Sequence, residues 1–182
     1  MSTRAEASVE DLRRVPENGK AELVDGKVVR MSPAGGYHGR ASYRIVRSLE
    51  EHEVRTRVGH ALPDNVGFLV DLPRRRSFSP DAAYYLGPLT ADFLEGAPVF
   101  AVEIRSRKDY GPAAERRMAT KRADYFAAGT LVVWDVDILG DGFIHAYRSD
   151  APDRPSVFRR GDLADAEPAV PGWSMPVDSL WG

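Results

Sequence analysis

Two acidic side chains in apolar surroundings are the first residues in this sequence that could do chemistry. Asp81 follows Ser79-Pro80 within FSPDAAYYL, and Glu103 sits inside AVEIRS, flanked by Ala101, Val102 and Ile104. Side chains alternate along a strand, so Glu103 is expected on the face opposite Val102 and Ile104. Carboxylates on neighbouring strands can share a hard cation. Magnesium takes oxygen ligands and keeps several waters, so one or two protein carboxylates and a substrate phosphate complete its shell. The same residues also suit a structural use, with Asp81 capping a turn and Glu103 paired to an arginine. Basic residues gather in three clusters: Arg74, Arg75 and Arg76; Arg105, Arg107 and Lys108; and Arg116, Arg117, Lys121 and Arg122. Each cluster can contact phosphates or simply stay solvated.

The elements that must position these residues follow from pattern. Ser8 to Arg14 reads as a short capped helix that ends near Pro16. AELVDGKVVRMSP carries Asp25-Gly26 between two β-prone runs, which predicts a tight hairpin over about residues 21–32. Tyr37 to Arg57 places Ala41, Ile45 and Leu49 at helical spacing, which predicts a long helix. NVGFLVDL and FSPDAAYYL are short β-like runs separated by PRRRS, and PVFAVEIRS has the apolar density of a buried strand. After Gly111-Pro112 a helix is expected over residues 113–128, stopped by Gly129, with Ala114, Met118 and Tyr125 turned inward. LVVWDV is then a strand, FIHAYRS and SVFRR two more, and the tail VPGWSMPVDSLWG ends in a short helical turn. Tyr84, Tyr85, Tyr125, Phe126 and Trp134 sit at core spacing, so they are assigned to packing and not to base stacking. No repeat or linker interrupts the chain, and residues 1–182 are expected to form one α/β domain with its core at about 20–148.

ELVDGKVVRMSP, His38 at a helix start, SPDAAYY, AVEIRS and KRADYFAAGTLVVWDVD together resemble the putative restriction endonuclease family of the PD-(D/E)XK nuclease superfamily. The resemblance spans about residues 20–148. It implies a restriction-endonuclease-like α/β fold, a mixed central sheet flanked by helices, here with an N-terminal hairpin and extra C-terminal strands. It also implies a site built from Asp81, Glu103 and a lysine, with the two carboxylates holding magnesium or, in its place, manganese. The superfamily pattern puts that lysine two residues after the glutamate, where this chain has Arg105. Arginine stays protonated and cannot act as a base, although it can clamp phosphate. In this family the lysine resembles one moved to the following helix, which selects Lys121, with Lys108 as the rival. Glu22 is a candidate third carboxylate or a structural hairpin residue. His38 is a candidate donor to a phosphate or carboxylate, or a cap.

The activity expected from the resemblance is Mg- or Mn-dependent endonucleolytic hydrolysis of DNA phosphodiesters. A catalytically inactive nuclease-fold module for interaction or nucleic-acid binding is the alternative, and RNA or branched DNA would use the same site. Nucleic acid is therefore the expected partner, and a homodimer is a further expectation. With no cysteine in 182 residues, disulfides, thiolate metal sites and a cysteine nucleophile are excluded. The N-terminus lacks the apolar core of a signal peptide, and no stretch reaches the about 18 consecutive apolar residues of a membrane span. A cytoplasmic location without a membrane partner is expected. The net charge of −2 gives no global attraction to nucleic acid. Gly35-Gly36 lacks the context of a nucleotide-binding loop, and no serine sits in a nucleophile elbow.

Overall fold

The computed structural model describes residues 6–16 and 19–181; residues 1–5 and Gly182, parts of the expected N-terminal segment and tail, lie outside the described residues. Helix α1 (Val9–Arg13) opens the chain under a capping box in which Ser8 and Asp11 satisfy each other's backbone amides. Strands β1 (Ala21–Val24) and β2 (Lys27–Arg30) form the hairpin. Its turn puts Asp25 and Gly26 at φ 48° and 64°, the left-handed pair that an Asp-Gly dipeptide adopts at little cost. The long helix α2 covers Gly36–Thr56 and buries Ala41, Ser42, Ile45, Leu49 and His52 along one stripe.

The strands that follow divide between two sheets. β3 (His60–Pro63) belongs to the main sheet, whereas β4 (Phe68–Leu69), β5 (Ser77–Phe78) and the later β7 (Leu94–Glu95) form a small side sheet. β6 (Ala82–Tyr85) and β8 (Phe100–Ile104) return to the main sheet. FSPDAAYYL is therefore not one strand, because Ser79-Pro80-Asp81 carries the chain from the side sheet into the main one. Helix α3 (Pro112–Ala127) starts with proline at its first turn, and its end is followed by Gly129 at φ 103°. Then come β9 (Val132–Asp137), β10 (Phe143–Arg148) and β11 (Ala151–Arg159). β12 (Leu163–Asp165) pairs with β13 (Ser174–Pro176), and a 3₁₀ turn over Val177–Leu180 fulfils the expected helical ending.

The main sheet runs β11-β10-β9-β8-β6-β3. Every pairing is antiparallel except β8 with β9, which are parallel and joined through α3. That single parallel pair makes the sheet mixed and lays α3 across it. Strand alternation sorts the core into two layers. Tyr84, Phe100, Val102, Trp134 and Ile144 pack with α2 and with Trp173, Met175 and Leu180 of the C-terminal segment. Ala83, Tyr85, Ala101 and Val133 pack with Tyr125 of α3 and with Phe68, Phe78 and Leu94 of the side sheet. Ile45 of α2 is fully buried in the first layer. Trimming it to valine removes one methyl group from a close-packed site, and a loss of about 1 kcal/mol in urea denaturation is expected; an unchanged midpoint would mean that α2 packs loosely there.

Candidate active site

Sheet register decides where the two acids stand. Ala82 pairs with Val102 and Ala83 with Ala101, and the Asp81 amide donates to the Val102 carbonyl. Extending that antiparallel register by one residue sets Asp81 opposite Glu103, on the face covered by α3. Glu103 is turned away from Val102 and Ile104, which lie in the α2 layer. The alternation expected for AVEIRS is thus what the strand shows.

Asp81 is held from three sides. Its Oδ2 accepts from the Ile104 amide at 2.7 Å and lies 3.1 Å from His38 Nε2. Its Oδ1 accepts from Lys20 Nζ at 2.6 Å, and the same ammonium lies 2.7 Å from Asp64. His38 and Ser42 are one helical turn apart on α2, and the Ser42 hydroxyl donates to the Asp81 carbonyl, so the start of α2 is docked onto this residue. Burial would raise the Asp81 pKa, but His38 and Lys20 outweigh it and hold the carboxyl far below its usual range.

Glu103 meets the lysine from the crossover helix. Lys121 Nζ lies 2.8 Å from Glu103 Oε1 and 2.8 Å from Glu22 Oε1. The Tyr125 hydroxyl, one turn along α3, donates to Glu103 Oε1 at 2.7 Å. Tyr125 therefore packs, stacked on Phe78 at 3.9 Å between ring centroids, and also orients the glutamate. Burial together with Asp81 and Glu22 pushes the Glu103 pKa up against the pull of Lys121. Burial also opposes the Lys121 charge, but Glu103 and Glu22 prevail and keep its pKa above the ordinary lysine value.

Glu22 is only 4% exposed. It accepts from Arg75 at 2.6 Å and from the Ser79 amide at 2.9 Å, and Arg75 reaches on to Asp124 of α3 at 2.9 Å. The hairpin is pinned beside it, with the Leu23 amide donating to Ser77 Oγ and the Arg76 amide to the Leu23 carbonyl. Glu22 thus braces the hairpin through Arg75 and Ser79, and it also pairs with Lys121. Arg105 behaves differently. Its guanidinium forks onto Asp135 at 2.7 Å twice and onto Glu115 at 2.6 and 3.2 Å, so four of its five N–H donors are engaged by these two acids. Lys108 is exposed in the loop after β8, while Lys121 is drawn in against the glutamates.

Sequence reasoning missed Lys20, Asp64, Arg75 and the Tyr125 hydroxyl as members of this cluster. Lys20 and Asp81 are 61 positions apart, and Arg75 and Glu22 are 53 apart, so no local spacing could signal these pairs.

The donors present are hard carboxylate oxygens, as a magnesium or manganese ion requires. Tyr125 and Lys121 both engage Glu103 at Oε1, and its side chain is 26% exposed. Among the described residues no group of three His, Cys, Asp or Glu side chains is assembled to hold a metal unaided. The set fits an ion that keeps waters and takes two protein carboxylates.

A mixed sheet flanked by helices, with its one parallel pair joined through a crossover helix, is the architecture of the nuclease-fold α/β proteins. A crystal structure of a putative nuclease of DUF820 from Anabaena variabilis has the same fold, with a TM-score of 0.75, 18% identity, and coverage of 95% of this chain and 96% of that one. The chain belongs to the Uma2 family, described as "Putative restriction endonuclease", whose model matches residues 9–178. No functionally curated protein matches the chain. None of the described helices is long and apolar enough to cross a membrane.

Proposed function

We propose that this protein is a metal-dependent endonuclease that hydrolyses DNA phosphodiester bonds, with Asp81 and Glu103 as the ligands of magnesium or manganese and Lys121 as the third catalytic group. The observation that carries this reading is the meeting of Lys121 with Glu103, directly beside Asp81, on one face of the sheet. A bound divalent cation would supply positive charge at the phosphoryl oxygen and lower the pKa of the attacking water. Lys121 enters already protonated, held so by its two glutamates, and it therefore acts as an electrostatic clamp on developing phosphoryl charge and not as a base. Tyr125 fixes the rotamer of Glu103, and His38 fixes that of Asp81. The exposed Arg107, Lys108, Arg116 and Arg117 lie on the segments that follow Glu103 and suit contacts with a phosphate backbone.

The test is cleavage of supercoiled, linear and single-stranded DNA with magnesium or manganese, alongside metal titration and thermal melts. Asp81→Asn and Glu103→Gln are each expected to lose cleavage and most metal affinity while remaining folded. Either change keeps the side-chain size and removes a ligand charge. Full cleavage by either variant would reject the site. A wild-type chain that binds no metal and cuts nothing would instead favour a non-catalytic nuclease-fold module. That rival draws on one observation, the neutralisation of all three acids by Lys20, Lys121 and Arg75 within the chain itself.

A further inference from the structure

Lys20 precedes β1 and has no part in the catalytic reading above, yet its ammonium is clamped between two acids. It lies 2.6 Å from Asp81 Oδ1 and 2.7 Å from Asp64 Oδ1, and its side chain is only 15% exposed. The other oxygen of Asp81 is already taken by the Ile104 amide and His38. The oxygen that Asp81 could still offer to a cation therefore already holds one. Magnesium binds a carboxylate oxygen at about 2.0–2.1 Å. An ammonium on the same oxygen would face it with like charge at contact range, so the two cannot be held together without a large electrostatic cost.

We propose that Lys20 is an internal counter-ion that fills the cation position of Asp81 and yields it to the divalent metal, with Asp64 retaining the displaced ammonium beside the site. This rests on the metal-dependent reading of Asp81 and Glu103. Asp64 suits the retaining role because it is the outer of the two acids, 37% exposed against 7% for Asp81, so the flexible lysine stem can swing outward without giving up its partner. In the absence of metal the arrangement keeps Asp81 neutralised and His38 and α2 docked. In its presence the same contact opposes loading.

Removing the Lys20 charge is therefore expected to tighten metal binding. The experiment is isothermal titration of the full chain with Mn²⁺, comparing wild type, Lys20→Met and Lys20→Gln, with thermal melts in chelator and in Mn²⁺. Methionine keeps the apolar stem, and glutamine gives a second uncharged replacement should one variant fold poorly. Both variants are expected to bind Mn²⁺ about tenfold more tightly than wild type, the effect of lifting one neighbouring like charge. They are also expected to melt lower in chelator and to gain more from Mn²⁺. If the wild type and the variants bind Mn²⁺ equally, or the variants bind more weakly, Lys20 is not a competitor and the proposal is overturned while the metal site stands. If none of the three proteins binds Mn²⁺, the metal-dependent reading falls and takes this proposal with it.

Discussion

Lys121→Met is expected to lower the single-turnover cleavage rate by about 10²–10³-fold, the usual effect of removing one preorganised charge aimed at a transition state. Substrate affinity should change far less. The ammonium lies 2.8 Å from both Glu22 and Glu103, so its position is set before substrate arrives and no reorganisation is needed during the reaction. Methionine preserves the stem that crosses the apolar side of α3 and removes only the charge. Two neighbouring carboxylates then lose their shared counter-ion, so metal affinity should be maintained or increased and the variant should recover stability when metal is added. Rate and Mn²⁺ affinity measured on one preparation decide the matter: a rate within threefold of wild type would remove Lys121 from the reaction.

Arg105→Ala is expected to cost about 3–5 kcal/mol of folding stability, because it strands a buried acid without a partner. Asp135 of β9 has a side chain only 4% exposed, and both of its oxygens accept from Arg105 at 2.7 Å. Lysine is a poor substitute, since one ammonium cannot fork onto Asp135 and Glu115 together. Arg105→Lys would restore the superfamily's Glu-x-Lys spacing at residues 103–105, yet it should not rescue Lys121→Met, because Asp135 and Glu115 hold that side chain in their own pair. Replacing Arg105 and Asp135 together by apolar residues should recover most of the loss. Chemical denaturation of the three variants tests this, and an Arg105→Ala midpoint equal to wild type would show that water reaches Asp135.

The division between what the sequence disclosed and what it withheld follows the range of the interactions. The Asp25-Gly26 hairpin, α2 and α3 are governed by contacts within a few residues, and their expected bounds differ from the observed ones by a residue or two. The inward turn of Ala114 and Tyr125 was legible for the same reason, and Met118 is half-buried as its place on that stripe requires. β3 was not foreseen, because His60–Pro63 is short and ends in proline. The split of FSPDAAYYL was also invisible, since an apolar run does not say which sheet receives each half. Arg74, Arg75 and Arg76 read as one basic cluster, but Arg75 alone is buried, under the ring of Phe78 and against Glu22. Resemblance supplied Asp81, Glu103 and Lys121 as a set; only three-dimensional register brings them to one face.

The outer strand β11 carries a consequence for how copies of this chain meet. An open sheet margin is a template on which another chain can add a strand, and uncontrolled addition of that kind ends in aggregates. Ala151–Arg159 is the longest strand described and lies at the margin, but it contains Pro152 and Pro155, which have no amide to donate, with Asp153 and Arg154 exposed between them. A strand approaching from outside meets missing donors and unpaired charge over that half. That half of the margin is thus chemically blunted against strand addition.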